Sequence, residues 1–203
     1  MQEEIAKKLN YLRDEIEHHA IYRCPPGTTI PAKQPNCNYT WQFYLRRVMF
    51  TPKFIFTAAE LLVNMMPDQD VQIAACEDAG VPLGLAMASV LNTPLLTVKK
   101  SRKAYGLLNF TEGPITGKKL VLVDDLAGSQ TTLRTAQKIL TAYRAELAPY
   151  YVTLLNKTVG THDAYLNRSL ISLFTCDDFA LTWDDYVKTY GKEPTFGDRK
   201  SIV

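Results

Sequence analysis

The sequence contains few of the residues that build metal centres and disulfide frameworks. Only three of its 203 residues are histidine, too few to suggest a zinc site of the histidine–cysteine type. Its four cysteines show no Cys-x-x-Cys spacing. Cys24 and Cys37 flank a proline-rich stretch and could pair, but free thiols in a cytosolic protein are the simpler interpretation. A metal centre or a disulfide scaffold is therefore not predicted, although that one pairing stays open.

Long apolar runs and an excess of charge of one sign are also absent. No apolar run approaches the roughly 20 residues that cross a membrane. The formal net charge of +2 gives no bulk attraction to nucleic acid or to a lipid surface. The first residues, Met-Gln-Glu-Glu-Ile, lack the basic-then-apolar order of a signal peptide. We therefore expect a cytoplasmic protein that binds neither nucleic acid nor membrane.

What the sequence does contain is typical of a globular domain. The apolar fraction is 46% and the charged fraction is 22%. A chain of 203 residues is long enough to bury a core of its own. It shows no internal repeat and no low-complexity tract. We expect one domain that spans residues 1–203.

The N-terminal third combines helices with an irregular segment. An amphipathic helix is predicted over residues 3–20. Four prolines make residues 24–38 an irregular loop. Tyr39–Arg47 alternates apolar and polar residues and predicts a half-buried strand. Thr51-Pro52 is an N-cap followed by proline, and it predicts a helix that ends near Met66.

From residue 67 onward, short apolar strands alternate with helices, which is typical of an α/β fold with a parallel sheet. The predicted strands are 71–75, 95–98, 120–123, 150–155 and 170–174, and the predicted helices lie at 85–91, 133–143 and 183–190. In such sheets, ligands bind beyond the carboxyl ends of the strands. The residues that follow each strand are therefore the candidates for a binding site.

The strongest local signal follows the strand at 120–123. Asp124 and Asp125 come directly after it, and the small-residue loop Ala127–Thr132 leads into the next helix. Two adjacent carboxylates can accept hydrogen bonds from two vicinal hydroxyls. A loop that begins a helix offers free N–H groups and the positive end of the helix dipole to a phosphate. The pattern fits a ribose 5-phosphate, which has a diol and a phosphate; an ordinary strand that ends in a solvated acidic turn is the alternative.

The stretch Val121–Leu133 resembles the motif with which type I phosphoribosyltransferases bind 5-phosphoribosyl 1-pyrophosphate (PRPP). That motif is an apolar strand, two acids, two apolar or small residues and a Thr/Gly-rich loop that ends in Ser or Thr; the stretch fits it without a gap. The resemblance implies a parallel, Rossmann-like core at about residues 67–180 and a small N-terminal hood at about 1–66. It also implies that Asp124 and Asp125 act on the ribose. The implied 5-phosphate ligands are Gly128, Ser129, Gln130, Thr131 and Thr132, of which Gln130 replaces a residue that is usually glycine or small.

Two further loops resemble the orotate branch of this family. Ala79-Gly-Val-Pro-Leu-Gly84 resembles the second half of its pyrophosphate loop, although the preceding Glu77 and Asp78 add negative charge near a polyanion. Lys99–Gly106 resembles the pattern Arg-Lys-Glu-x-Lys-x-His-Gly of a loop that closes over the neighbouring subunit's site. The implied pyrophosphate ligands are Ala79, Gly80, Lys99, Lys100, Lys103 and Tyr105, with Lys103 also catalytic and Tyr105 in place of histidine. Without this context, a solvated basic loop would be expected.

The end of the strand at 150–155 supplies a candidate for base recognition. Asn156-Lys157 stands where the orotate branch usually has Asp-Arg, whose arginine binds the carboxylate of the base. Lys157 could supply the charge but not the two-pronged hydrogen bonding of arginine. The hood has no clear counterpart of the branch's Ser-Gly…Ser-x-x-Tyr segment. The acceptor base is therefore the least constrained part of the prediction.

Together these resemblances imply transfer of a 5-phosphoribosyl group from PRPP to a nucleobase with release of pyrophosphate. Orotate is the expected base, which would place the enzyme in pyrimidine nucleotide synthesis. The family uses Mg²⁺, here expected on the substrate rather than on protein ligands, and a homodimer is expected. Another acceptor base is one alternative, and an unrelated nucleotide-binding α/β protein is another. A catalytically weak sensor of PRPP or nucleotide on the same fold would fit the departures at Glu77, Asp78, Ala79, Tyr105 and Gln130.

Overall fold

The structure is a computed structural model that describes residues 2–31, 38–101, 109–128, 130–157, 162–163 and 168–181. The predicted helix at 183–190 and Cys37 lie outside these residues. Cys24, Cys76 and Cys176 are free thiols. Within the described residues, no helix has the length and apolar character needed to cross a membrane.

The N-terminal region consists of helices and two short antiparallel ribbons. Its elements are α1 (Gln2–His19), β1 (Ile21–Arg23), β2 (Ile30–Pro31), β3 (Asn38–Tyr39), β4 (Trp41–Phe43), α2 (Arg46–Met49) and α3 (Pro52–Met65). β1 pairs with β4, and β2 pairs with β3. Helix α3 ends where Met66 takes an extended conformation, as expected for a residue that precedes proline. The predicted helices at both ends of this region are therefore present.

Two predictions for this region are wrong in detail. Tyr39–Arg47 is not one strand, because β4 ends at Phe43 and α2 begins at Arg46. Trp41 and Phe43 do alternate with an exposed residue, but Leu45, Val48 and Met49 are buried at helical spacing and override the alternation. The 24–38 segment is also not wholly irregular, because Ile30–Pro31 forms a ribbon strand. A proline is tolerated at the edge of such a two-stranded ribbon.

The rest of the described chain forms a seven-stranded sheet flanked by helices. Its elements are β5 (Val71–Cys76), α4 (Val81–Val90), β6 (Leu96–Val98), β7 (Thr111–Glu112), β8 (Lys119–Ala127), α5 (Thr131–Ala142), β9 (Leu147–Asn156), β10 (His162–Asp163), β11 (Arg168–Thr175) and a 3₁₀ turn at Asp177–Phe179. The strand order is β10-β11-β9-β8-β5-β6-β7. The five inner strands are parallel, and β7 and β10 at the edges are antiparallel. The predicted α/β class with a parallel sheet and an N-terminal hood is confirmed.

Helices cover both faces of this sheet, so only the ends of its strands are open to a ligand. All six residues of β5 are buried, as expected for a parallel strand between two helical layers. α3 and α4 pack on one face, and the apolar side of α5 packs on the other. The chain leaves β5 toward β6 on one side and returns to β8 on the other. The carboxyl ends of β5 and β8 therefore flank the switch point at which open α/β sheets bind ligands.

A buried glutamine fixes the opposite end of the sheet. Gln72, near the start of β5, donates from Nε2 to the carbonyl oxygens of Pro114 (2.7 Å) and Pro94 (3.3 Å). Its Oε1 accepts from the N–H and the hydroxyl of Thr116 at 3.0 and 2.9 Å. The turn before β6 and the segment after β7 are thereby joined to β5.

Candidate active site

The acidic pair lies inside strand β8 and not in the loop after it. Hydrogen bonding to β9 continues through Asp124, opposite Thr153, as far as Ala127, opposite Asn156. The strand was predicted to stop at Val123 and thus extends four residues further than expected. Only Gly128–Gln130 separates this strand from α5. The parallel partner strand, which sequence patterning does not reveal, holds the two acids in fixed backbone positions.

The two carboxyl groups of the pair are desolvated and interact with each other. Asp124 is 7% exposed and Asp125 is half-buried. Burial, followed by the negative charge of Asp125, raises the pKa of Asp124 well above its ordinary value. Burial also raises the pKa of Asp125, and the positive charge of Arg46 is among the effects that oppose this rise. The Asp124 Oδ1 accepts the backbone N–H of Asp125 at 3.0 Å. Such a pair gains from hydroxyl donors or a cation.

The predicted phosphate loop leads directly into the first turn of α5. Gln130 has the left-handed conformation, with φ 56° and ψ 12°, and its buried Oε1 accepts no hydrogen bond from the described residues. This conformation gives a physical reason for the glycine that the family motif usually has here. Thr131 and Thr132 begin the helix, where backbone N–H groups lack helical acceptors. Gly128 directly follows β8 and is half-buried, and Ser129 lies outside the described residues.

The predicted pyrophosphate loop is held tightly against β8. A Cβ atom added at Gly80 would lie 2.7 Å from the Val123 carbonyl oxygen and 2.9 Å from the Asp124 Cα. Gly80 is thus required by backbone approach and not by an unusual dihedral angle. Glu77 directly follows β5, and the peptide bond between Glu77 and Asp78 is cis. The Glu77 carboxylate accepts a hydrogen bond from the Thr97 hydroxyl at 3.1 Å. Its carboxylate is therefore engaged with β6, whereas Asp78 is exposed and Ala79 is half-buried.

The two described lysines of the basic segment have different surroundings. Lys100 is exposed, and its positive charge counteracts the rise in the pKa of Asp124. Lys99 is buried and forms an ion pair with Glu112 of β7. Lys103 and Tyr105 lie outside the described residues. Glu112 is a partner that the sequence analysis missed, since nothing in the linear pattern joins residues 13 positions apart.

Lys157 lies where the end of β9 meets the hood. Its backbone N–H donates to the Ala127 carbonyl oxygen at 2.8 Å, so it is adjacent to the end of β8. Its ammonium lies 4.6 Å from the ring centroids of both Tyr39 and Trp41, within cation–π range. Burial lowers its pKa to about 8. The two rings were predicted only as strand residues; their aromatic character was the available signal.

The structure therefore brings most of the predicted site residues to one region at the carboxyl edge of the sheet. β5 ends in the Gly80 loop, β8 carries the acidic pair, α5 begins at Thr131, and β9 ends at Lys157. Arg46 of α2 is a further cation of the hood whose charge acts on Asp125. It was missed because α2 was expected to be part of a strand.

Comparison with known proteins agrees with this geometry. No protein-family model matches the chain. Orotate phosphoribosyltransferase of Nocardioides sp. is 27% identical over 139 residues, which are 62% of this chain and 78% of that protein. The protein of the same name from Methanopyrus kandleri is 30% identical over 129 residues, 63% of this chain and 69% of that protein. A phosphoribosyltransferase structure from Corynebacterium diphtheriae shares the fold, with a TM-score of 0.70 and 20% identity over 86% of this chain and 99% of that one. The chain belongs to the orotate phosphoribosyltransferase family.

Proposed function

We propose that this protein transfers the 5-phosphoribosyl group of PRPP to orotate and releases pyrophosphate. The observation that carries the proposal is the desolvated Asp124–Asp125 pair at the switch point of the sheet, one short turn before the N-terminus of α5. The pair can accept both vicinal hydroxyls of a ribose, and the helix N-terminus can bind its 5-phosphate.

In this reaction the protein mainly positions the two reactants. A ring nitrogen of the base forms a bond to C1 of the ribose while the bond from C1 to the pyrophosphate oxygen breaks. Positive charge develops on the ribose ring, and negative charge develops on the departing group. The carboxylates of Asp124 and Asp125 hold the ribose and favour the positive charge, while Lys100, together with Lys103 and Tyr105, serves the pyrophosphate.

Mg²⁺ fits this site as a companion of the substrate. Among the described residues, no group of three or more His, Cys, Asp or Glu side chains meets to hold a metal ion. The buried carboxylate pair nevertheless offers the oxygen donors that Mg²⁺ prefers, and this ion keeps most of its ligands from water and substrate phosphates. When bound, Mg²⁺ would offset the charge of the pyrophosphate. Asp124 and Asp125 are the side chains that would face it.

Orotate is the proposed base because a cation faces the position that the base would occupy. Lys157 lies next to the end of β8, and the centroids of the Tyr39 and Trp41 rings lie 4.6 Å from its ammonium. A carboxylate would complement the positive charge of this lysine, whereas an uncharged base would not. The flat rings also offer an apolar surface to a planar base.

An assay with a panel of bases tests the proposal directly. Pyrophosphate release is measured with PRPP, Mg²⁺ and either orotate, uracil, adenine or hypoxanthine. We expect the highest kcat/KM with orotate. Faster turnover of any other base would contradict the choice of orotate. Tight PRPP binding by calorimetry without turnover of any base would support a sensor instead.

We also propose that the protein forms a homodimer through the outer face of α4. From Ala79 to Val98, 20 consecutive residues carry no Asp, Glu, Lys, Arg or His, in a chain that is 22% charged. Leu85 is 56% exposed, Ser89 is exposed one turn later on the same side of the helix, and Asn92 is exposed in the turn that follows α4. These three residues contribute to the lining of an open groove of about 400 Å³. A neutral, partly apolar surface of this kind is typical of an interaction site.

A second copy of the chain suits this surface. A two-fold axis places the same surface of both subunits in contact, which a neutral face allows without repulsion between like charges. The bonds made by Gln72 join the turn after α4 to the segment that contains Ile115, which is 42% exposed. Both segments can therefore contribute to the roughly 800 Å² per partner that a stable interface buries. β6 leads from this surface to Lys99, so the partner would lie beside the start of the basic loop.

A further inference from the structure

The two ends of the basic loop are joined at several points. We use "basic loop" for residues 100–110, between β6 and β7. Thr97 lies opposite Glu112, and Val98 lies opposite Thr111, in an antiparallel ladder. The Lys99 N–H extends this ladder, because it donates to the Phe110 carbonyl oxygen at 2.8 Å. The loop is thus anchored on a hairpin that ends at Lys99.

The side chain of Lys99 adds an ionic contact to this hairpin. It forms an ion pair with the Glu112 carboxylate, and the two side chains are 9% and 59% exposed, respectively. A lysine is seldom this deeply buried unless it is paired. The Lys99 ammonium is therefore part of the β6–β7 hairpin, which holds the two ends of the basic loop together. Lys100, the next residue, is exposed, and its positive charge acts on Asp124.

We propose that Glu112 is a positioning residue that acts through Lys99. The ion pair fixes the base of the hairpin and thereby sets where Lys100 meets pyrophosphate. Lys99 then serves as an anchor and not as a pyrophosphate ligand, in contrast to the role implied by its place in the family pattern. This inference rests on the proposed function, because the loop is assigned to pyrophosphate there.

The two roles of Lys99 predict different behaviour of its partner. If Lys99 bound pyrophosphate, Glu112 would compete for its ammonium, and loss of the Glu112 charge would leave PRPP use unchanged or improve it. If Lys99 is an anchor, loss of either charge breaks the same contact. In Glu112→Gln, the buried Lys99 ammonium would lose the countercharge of Glu112. Both single variants should therefore be impaired, and the double variant should be no worse than either one.

The test is a double-mutant cycle with Lys99→Met and Glu112→Gln, both close to the original side chains in size. We expect each single variant to lower kcat/KM for PRPP by roughly tenfold while the KM for orotate stays unchanged, and the double variant to match the singles. The exchanged pair, Lys99→Glu with Glu112→Lys, should recover at least part of the loss. Lys118→Met is the matched control, because Lys118 pairs with Asp70 at the other end of the sheet, 2.7 Å away.

A second measurement does not depend on turnover. Trypsin cleaves after the Lys and Arg residues of the loop, and loss of the anchor should speed this cleavage roughly tenfold in Lys99→Met and Glu112→Gln but not in Lys118→Met. Impaired Lys99→Met together with fully active, normally cleaved Glu112→Gln would overturn the inference, as would two single variants that both behave like wild type. If the wild type turns over no base, the proposed function is wrong. The trypsin cleavage rates alone then test whether the Lys99–Glu112 ion pair anchors the loop.

Discussion

Asp124 and Asp125 place two carboxyl groups side by side where water is largely excluded. Burial and mutual repulsion raise the pKa of Asp124, and burial raises that of Asp125. A raised pKa means that ionising the pair weakens the folded state, because the unfolded chain ionises the same groups more easily. In the free protein, stability should therefore fall as pH rises from the ordinary value of 3.8 through the raised pKa values. Such local instability is typical of residues kept for ligand binding.

Replacing Asp124 by asparagine should separate stability from binding. We expect Asp124→Asn to be at least as stable as wild type near pH 7 and to lose the fall in stability with rising pH. PRPP affinity should drop by roughly 1.5–3 kcal/mol for each charged hydrogen bond that is lost. Thermal unfolding across pH and PRPP calorimetry measure the two effects. Asp125→Asn is the control for the effect on stability, since its side chain is less buried and the change in stability should be smaller. If both variants bind PRPP as tightly as wild type, the assignment of the pair to the ribose is wrong.

Lys157 should make the use of orotate depend on pH. Its pKa of about 8 means that the ammonium is lost within the range in which many enzymes are assayed. Because a carboxylate needs the protonated form, the KM for orotate should rise above pH 8, by up to about tenfold per pH unit. The KM for uracil should not follow this trend. Parallel pH profiles for the two bases would show that Lys157 does not face the carboxylate.

Stability provides an independent check on the same lysine. Between about pH 8 and the ordinary value of 10.5, the unfolded chain binds more protons at this position than the folded chain. The free energy of unfolding should therefore rise with pH in this window. Lys157→Met should abolish that rise, and it should weaken orotate more than uracil.

At the scale of elements, the sheet was predictable and its contacts were not. β5, β6, β9 and β11 read as apolar runs, and both helices that follow the site loops have clear patterns. The length of β8 could not be predicted from composition, because two adjacent aspartates seldom occur inside a strand. Hydrogen bonds to β9 nevertheless keep Asp124 and Asp125 in the strand. The split of Tyr39–Arg47 into β4 and α2 depends on burial of Leu45 and Val48 against the core.

The proximity of site residues was predictable where they belong to a single segment of the chain. The acidic pair and the start of α5 lie in one stretch, so their proximity follows from chain order. Lys99 with Glu112, and Lys157 with Tyr39 and Trp41, are contacts between distant segments. Only tertiary packing brings them together, and only packing explains why Lys99 is buried and Lys157 is half-buried.

Gly80 should tolerate no side chain. A methyl group there would meet three backbone atoms, at 2.7 Å from Val123, 2.8 Å from Cys76 and 2.9 Å from Asp124. We expect Gly80→Ala to lose about 1–3 kcal/mol of stability, as in overpacked cores, which lowers the thermal midpoint by roughly 2–10 °C.

Gly128→Ala is the matched control for that variant. The nearest atom to its added methyl group would be the Leu126 Cδ2, at an ordinary 3.5 Å. This variant should keep the wild-type midpoint but bind PRPP less tightly, since the methyl group obstructs approach of the phosphate. An unchanged midpoint in Gly80→Ala would mean that the loop can move away from β8.

At the scale of the whole molecule, the α4 surface predicts the assembly state. We expect sedimentation to give twice the chain mass of 22.9 kDa for wild type. Leu85→Asp would bring two like charges together across the axis, and we expect the dimer dissociation constant to rise by tenfold or more. The fold should persist by circular dichroism, because Leu85 is exposed.

Tyr143→Asp provides the matched control for the interface. Tyr143 is 44% exposed and follows α5 on the opposite face of the sheet. It should leave the dimer intact. A monomeric wild type, or a Leu85→Asp dimer of wild-type strength, would exclude the proposed interface. A dimer that Leu85→Asp disrupts, in a protein that turns over no base, would support the interface while rejecting the proposed activity.

The ladder that carries β8 through its acidic pair also limits how this site can change. Because β9 fixes the backbone from Asp124 to Ala127, a sugar phosphate finds this half of the site already ordered and binds with little loss of conformational entropy. The same ladder prevents the backbone from adapting to a sugar of another shape. A laboratory selection for transfer of a different pentose should therefore yield side-chain replacements around the pair, at Gln130 or in the hood, and leave the path of β8 unchanged.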